Sequence, residues 1–366
     1  MNILVINWQD WKNPLAGGAE LNLYEIFSRL IRRGHKVVLL CSKAREQNRH
    51  EMLDGFEIYR IGKRQNFNFF VPCTLRALLR HQRIDIIIDD LNKIPFYSPL
   101  FTRKKVLGFM HHLFLFAIFR ETNFLFASYV FLAENLIRLF YRQTPFVAVS
   151  QGTAADLKSM GIKKSIDVVY NGIPLVHGRI KEPREKNLIV YVGRLKKYKS
   201  IEHFVEAVAN IKARRNIQAM IVGDGDAKSS LMSLANQLNA EITFTGFVDE
   251  ERKYQIYSKA RVVVQPSIKE GFGLTAIEAQ SFGTPVVCAD SPGLREAIIH
   301  GKTGYLYPYG NREKLVACIT ELLDNQEMWQ NFSSAAREWA SQFSWDNAAQ
   351  KLEDILKFQT KYHDGP

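Results

Sequence analysis

The chain is poor in cysteine, in long apolar runs and in repeated or low-complexity segments. Its four cysteines, Cys41, Cys73, Cys288 and Cys318, lie far apart and form no CxxC pair. That spacing excludes a zinc-ribbon pattern or a disulfide framework, and the four read as small buried residues of a reducing compartment. No stretch reaches the roughly 18 apolar residues needed to span a bilayer. The nearest approach, Leu113–Phe119 followed by Phe124–Ala133, is interrupted by Arg120 and Glu121. The opening MNILVINWQDW has no basic region ahead of its apolar run, so it does not read as a secretory leader. The expectation is a cytoplasmic protein, soluble or peripheral on the inner face of the cell membrane.

With 366 residues, 46% hydrophobic and 23% charged, the composition is that of a globular protein of two or three domains. The net charge of +12 is uneven. Residues 1–150 hold 21 Lys/Arg against 12 Asp/Glu, a net of +9, which leaves +3 for the remainder. The same stretch holds 16 of the 24 phenylalanines. A basic, aromatic first half points to an anionic partner: nucleic acid, a phosphorylated ligand or a membrane surface.

Hydrophobic periodicity gives an alternating α/β order. Ile3–Ile6, Val37–Cys41, Ile84–Ile88, Val106–Phe109 and Phe146–Val149 are short continuous apolar runs, as in strands buried on both faces. Between the first two lies a helical pattern over Glu20–Arg33, stopped by Gly34. A second set begins after a Pro- and charge-rich passage, Asn171 to Asn187. Its strands are Leu188–Val192, Ala219–Val222, Ile242–Phe244, Val262–Gln265 and Val286–Ala289. Helical patterns lie between these at Ile201–Arg214, Ala227–Leu238, Asp249–Lys259 and Gly273–Phe282, then from Arg312 to Ser341 and over Trp345–Tyr362. This predicts two Rossmann-like, doubly wound domains, 1–170 and 171–344, with ligands at the carboxyl ends of their strands.

Four motifs carry candidate chemistry. In EGFGLTAIE, Glu270 to Glu278, glycines let backbone approach a ligand and the helix start offers an anion site. The bland alternative is an acidic helix start suited to its dipole. In GRLKKYK, Arg194 and Lys199 can neutralise a diphosphate, although Lys196 and Lys197 beside them also fit a solvated basic loop. Gly17-Gly18-Ala19-Glu20 reads as a phosphate-cradling turn or as a turn alone. His111-His112 follows a strand, placed for polar chemistry or for a structural role.

Taken together, these motifs resemble those of a retaining glycosyltransferase of family 4. VVYNGI (Val168 to Ile173), IVGDG (Ile221 to Gly225) and HGKTGYL (His300 to Leu306) extend the resemblance over residues 3 to about 345. It implies the GT-B fold, with a donor cleft between two facing Rossmann-like domains. The second domain would bind a nucleotide-diphosphate-sugar, the first the acceptor, and the final helix, 345–362, would return to the first. By resemblance, Arg194 and Lys199 hold the donor diphosphate, assisted by backbone amides at Phe272, Gly273 and Leu274. Glu278 takes the ribose, Glu270 the sugar hydroxyls, and Gly17 and Gly18 the phosphates from the acceptor side. His111 matches the catalytic-site histidine, while His112 stands where the family often has Asp. Ser200 replaces a usual Gly and Pro174 a usual Asp. The implied reaction is a metal-independent hexosyl transfer with retention, needing no cofactor beyond its sugar-nucleotide substrate.

Three rival readings remain. Asp224-Gly225-Asp226 is a literal Asp-x-Asp that a metal could use, but it coincides with the VGDG loop. A nucleic-acid-binding protein would account for the charge but not for the two-domain order, and the expectation is no nucleic acid. A non-catalytic sugar-nucleotide sensor would not need the retained Glu, Arg, Lys and His. For the aromatic stretch Leu113 to Phe140, beside Arg103-Lys104-Lys105, two readings stay open. It is a core helix, or a surface docking on anionic lipid near a glycan or lipid-linked acceptor. The stretches Asn66–Phe70 and Asp89–Asn92 are expected to be acceptor loops.

Overall fold

A computed structural model describes residues 1–92, 94–120, 122–174 and 183–361. It divides into two compact units, Met1–Gly172 with Trp345–Pro366, and Ile173–Ser344. Residues 175–182 of the Pro- and charge-rich passage, Glu121, and Tyr362 at the expected end of the last helix lie outside the described residues.

The first unit runs β1 (Asn2–Ile6), α1 (Gly18–Arg32), β2 (Lys36–Ser42), β3 (His50–Leu53), β4 (Phe56–Ile61), α2 (Phe67–His81), β5 (Ile86–Leu91), β6 (Val106–Met110), α3 (Phe124–Phe140), β7 (Phe146–Ala148), α4 (Gln151–Ser159) and β8 (Ile166–Val168). Its eight strands lie in the order β3-β4-β2-β1-β5-β6-β7-β8. All pairs are parallel except β3 with β4. Ile3 to Ile6 are fully buried because parallel strands are covered on both faces. The antiparallel pair turns at Asp54-Gly55, both at positive φ, the geometry of a tight two-residue hairpin.

The second unit runs β9 (Leu188–Val192), α5 (Glu202–Lys212), β10 (Gln218–Val222), α6 (Lys228–Gln237), β11 (Ile242–Gly246), α7 (Glu250–Lys259), β12 (Val262–Gln265), α8 (Leu274–Ser281), β13 (Val286–Ala289), α9 (Leu294–Ala297), β14 (Gly304–Tyr307), α10 (Arg312–Asp324) and α11 (Gln326–Ala340). Its order, β11-β10-β9-β12-β13-β14, is all parallel and is the 3-2-1-4-5-6 arrangement of dinucleotide-binding folds. The doubly wound α/β class read from the sequence is therefore present in both units.

The last helix, α12 (Trp345–Lys361), belongs to the first unit. Trp345, Leu352 and Leu356 are buried, and ion pairs tie α12 to α1 and the turn after it. Arg29 meets Asp346 at 3.0 Å, and Glu353 receives Arg33 at 2.8 Å and His35 at 3.2 Å. Lys357, and then Arg33 and His35, hold the Glu353 carboxyl down at about 2.

Several expectations are corrected. Asn66–Phe70 is not a loop: Asn66 precedes α2, because Phe67, Val71, Leu75 and Leu78 form one buried helical face. Cys73 is exposed on the opposite side of α2, unlike the other three cysteines. The helical stretch Arg312–Ser341 is broken at Asn325, which ends α10 and caps α11 by accepting from the Met328 amide at 2.9 Å. Asp89, Asp90 and Leu91 are not loop residues; they end β5 and are buried.

The burial of Asp89 is tolerated because its Oδ2 accepts from the Ser98 hydroxyl and the Tyr141 hydroxyl, each at 2.5 Å, and from the Ser98 amide at 3.2 Å. Burial still pushes the carboxyl up from 3.8 to about 6 against those hydrogen bonds. The folded state thus favours the protonated acid. Its contribution is fully present below about pH 4 and is lost as pH rises through about 6. Asp89→Asn keeps the acceptor without the charge. Urea unfolding should find the variant equal to wild type near pH 4 but more stable at pH 8, by on the order of 2–3 kcal/mol. A difference independent of pH would contradict this.

Candidate functional site

In the second unit the strand order reverses between β9 and β12, and ligands of open α/β sheets bind at such switch points. The loops leaving those strands carry the sequence-predicted residues. They are tied to each other: the Ile268 amide donates to the Tyr198 carbonyl at 3.0 Å, and Gln265 Nε2 to the Val192 carbonyl at 2.8 Å. The β9 loop is also pinned to the β10 loop, with the Leu195 amide on the Asp224 carbonyl at 2.9 Å.

Lys199 and Glu270 meet on this edge, Nζ to Oε1 at 2.5 Å, with both side chains mostly buried. Burial alone would lower the lysine's pKa. Glu270, with Tyr198 and Tyr191 beside it, outweighs that and holds the ammonium above its usual range. Lys199 therefore stays cationic at neutral and alkaline pH. Arg194 is exposed, and among the described residues no carboxylate pairs with it. One cation is thus held by a carboxylate and another is open to a ligand.

Glu270 is fixed through its backbone. Its amide donates to the Pro292 carbonyl at 3.0 Å, and a Cβ on Gly293 would sit 2.3 Å from the Glu270 carbonyl oxygen. Gly293, at φ +82, admits this approach where a larger residue would not. Gly273 caps α8 at φ +80, turning the chain so that the first amides of the helix face outward. Phe272 is buried against Phe343, ring centroids 5.2 Å apart. Leu274 begins α8, and its amide has no partner within the helix. These N–H groups, with Arg194 and Lys199, suit a diphosphate.

Glu278 takes a different set of partners from Glu270. It sits on α8, buried, accepting from Tyr257 Oη at 3.1 Å and facing Lys253 Nζ at 3.2 Å. Burial raises its carboxyl pKa, and Lys253 works against that rise. Lys253 and Tyr257 of α7 carried no signal in the sequence that linked them to this carboxylate. In the VGDG loop, Asp224 faces Lys228 at 2.9 Å and Asp226 faces Lys196, all on the surface. Among the described residues no group of three or more His, Cys, Asp or Glu side chains is placed to hold a metal ion.

In the first unit the switch point lies between β1 and β5. Gly17 caps α1, and its amide donates to Glu20 Oε2 at 2.7 Å, while Asn92 Nδ2 reaches Glu20 Oε1 at 3.2 Å. Among the described residues, a Cβ on Gly18 would meet nothing within 4 Å, so packing against them does not require glycine there. The preceding loop is anchored by the fully buried Arg60, which donates to Asp10 Oδ2 at 2.5 Å. His111 follows β6 and is buried, its Nε2 2.7 Å from Asp90 Oδ1. Its Nδ1 has no hydrogen-bond partner among the described residues. His112 packs edge-on against Phe114, with ring centroids 4.4 Å apart. Asp90, Glu20 and Asn92 were not read as orienting residues, though two adjacent aspartates in the run IIIDDL were a visible anomaly.

Comparison with known proteins gives matches over most of the chain. A family profile described as Glycosyl transferases group 1 matches residues 174–339, and one described as Glycosyltransferase Family 4 matches 16–177. An uncharacterized glycosyltransferase of Methanocaldococcus jannaschii is 33% identical over 177 residues, 47% of this chain and 45% of the relative. A D-inositol 3-phosphate glycosyltransferase of Corynebacterium aurimucosum is 33% identical over 220 residues, 57% of this chain and 50% of the relative. The chain thus spans about half the length of the curated relatives it matches. Among solved structures, sucrose-phosphate synthase from Thermosynechococcus elongatus superposes with a TM-score of 0.79 at 20% identity, covering 98% of both chains. Anabaena HepE in complex with UDP-glucose gives 0.76 at 20% identity, covering 98% of this chain and all of that one.

The Lys199–Glu270 pair has a consequence for stability apart from any ligand. Removing one member leaves a charge stranded in a mostly buried site, at a cost of about 3 kcal/mol. Lys199→Met or Glu270→Gln alone should lower the melting temperature, and the double variant should regain most of the loss. Additive losses in calorimetry would contradict the pairing.

Proposed function

The chain belongs to the family 4 glycosyltransferases, and we propose that it is a retaining hexosyltransferase using a nucleotide-diphosphate-sugar donor. It moves the sugar to a hydroxyl of a glycan or lipid-linked acceptor, forming an α-glycosidic bond. The observation that carries this reading is the grouping at the β9/β12 switch point: Arg194, Lys199 and the amino end of α8 beside Glu270. The relatives support a sugar-nucleotide donor, since one is named as a glycosyltransferase of D-inositol 3-phosphate and HepE was solved with UDP-glucose.

In this reading Arg194 and Lys199 bind the diphosphate and stabilise the negative charge that grows as the glycosidic bond breaks. The amides at Phe272, Gly273 and Leu274 add hydrogen bonds to the same phosphates. Glu270 directs the sugar hydroxyls, and Glu278, held by Lys253 and Tyr257, takes the nucleotide ribose. Gly17 and Gly18 contact the donor phosphates, and His111 acts beside the reacting sugar, with Asp90 fixing its ring through Nε2. The acceptor hydroxyl attacks from the face the diphosphate leaves, through an oxocarbenium-like state. The departing phosphate takes the hydroxyl's proton, so no separate protein base is needed. Two fixed cations supply the charge that a divalent metal supplies elsewhere, and we assign no metal or cofactor to the reaction.

Screening nucleotide sugars by thermal shift and then assaying transfer tests the reading. Lys199→Ala and Glu270→Ala should each cost about 10²–10³-fold in transfer rate while the protein stays folded. Asp224→Ala/Asp226→Ala should transfer at the wild-type rate, with or without EDTA. Near-wild-type transfer in both site variants, or rescue of an EDTA-treated enzyme by manganese, would refute it. Donor binding without transfer to any acceptor would favour the sensor reading.

A further inference from the structure

A helix packed into a domain surface normally turns polar residues outward, but α3 does not. Its inward face places Ala127, Val130, Ala133 and Ile137 in the core. Its outward face carries Leu125, Tyr129, Leu132 and Leu139, the first, third and fourth of them 82, 60 and 64% exposed. One side of α3 is therefore core, as the first of the two readings expects, and the other is bare.

The bare face extends beyond the helix. Phe116 and Phe124, 76 and 74% exposed, join it through ring contacts: Phe116 lies 4.8 Å from Phe131, and Phe119 lies 5.8 Å from both Phe124 and Phe131. On α2, whose buried face shares a hydrophobic cluster with that of α3, Phe69 and Phe70 are also exposed. A contiguous apolar surface of this kind marks an interaction site.

The charge around the patch identifies the partner. Residues 63–142 hold 12 Lys/Arg and five Asp/Glu. Three of the five acids, Asp89, Asp90 and Glu134, are buried, whereas Arg76, Arg80, Arg103, Lys104, Arg138 and Arg142 are exposed. The acids are spent inside the fold and the cations are left outside. A second copy of the chain would set these cations against their own kind, which opposes self-association through this face. Aromatic and leucine side chains flanked by cations match the interface of an anionic bilayer, where rings enter the headgroup region and cations meet lipid charge. Among the described residues no helix is long and apolar enough to cross a membrane. We propose that the outward face of α3, with Phe116 and Phe124, docks the protein onto the surface of an anionic membrane, α3 lying in its plane. This inference does not depend on the proposed transfer reaction.

Vesicle flotation of the full chain tests it. The protein should float with phosphatidylglycerol-containing vesicles at least about tenfold better than with pure phosphatidylcholine vesicles at low salt. Phe116→Ser/Leu125→Ser/Leu132→Ser should float at least about tenfold less, with an unchanged circular dichroism spectrum because the three side chains are exposed. Leu125→Gln alone, a milder change, should show a smaller loss in the same direction. Failure of wild type to float with anionic vesicles would overturn the proposal, as would wild-type flotation by the triple variant. So would a wild-type dimer, seen by sedimentation equilibrium, that the triple variant converts to monomer without any vesicle binding.

Discussion

Parallel strand pairing is the constraint on which the rest of the structure depends. Except for the β3–β4 hairpin, every strand pair in both sheets is parallel, so the carboxyl ends of all strands but β3 share one edge within each sheet. Most returns to the sheet run through a helix that begins from a loop on that edge, the step from β5 to β6 being an exception. The candidate residues therefore cluster without any element being built for them. Gly17 and His111 leave β1 and β6, while Arg194, Lys199 and Glu270 leave β9 and β12. The same geometry aims helix amino ends at the edge, which is why an anionic ligand suits it.

The second feature is how charge is sorted. Two cations in the second unit are satisfied by carbonyls: the half-buried Arg184 donates to Tyr257, Ala260 and Phe282, and the buried Arg261 to Leu322, with both guanidiniums over the Trp329 ring. Burial lowers the Arg184 pKa to about 10, so these are structural cations. Arg194 stands outside that scheme, and Lys199 is matched to a single carboxylate. These are the two cations that the loop after β9 brings to the switch point beside Glu270. In the first unit the acids go inward, to Ser98, Tyr141, His111 and the turn at Phe114, and leave a basic exterior.

Much of this was legible in the sequence. Buried parallel strands read clearly because they are short, continuous apolar runs, and Leu188–Val192, Val262–Gln265 and Val286–Ala289 appear with the bounds expected of them. The motifs after β9 and β12 were visible because Gly, Arg, Lys and Glu interrupt those runs. What was missed depends on contacts distant in sequence. Asp89 and Asp90 looked like loop residues because isolated aspartates do not belong in a buried strand. Only partners 9, 52 and 21 residues away make them tolerable. α2 was hidden by the polar start at Asn66 and by Pro72 within the helix. The hairpin of β3 and β4 carried a readable sign, the Asp54-Gly55 dipeptide, between strands too short to stand out. The outward face of α3 could not be told from a core face, since both are apolar.

The central claim is that the carboxyl edge of the second unit receives a nucleoside diphosphate. Hydrogen exchange of the full chain with and without a panel of nucleoside diphosphates tests it directly. The account predicts slowed exchange in two segments, 193–200 and 268–275, at saturating concentrations of the cognate diphosphate. Protection elsewhere with none in those two loops would contradict it, as would no protection from any diphosphate in the panel.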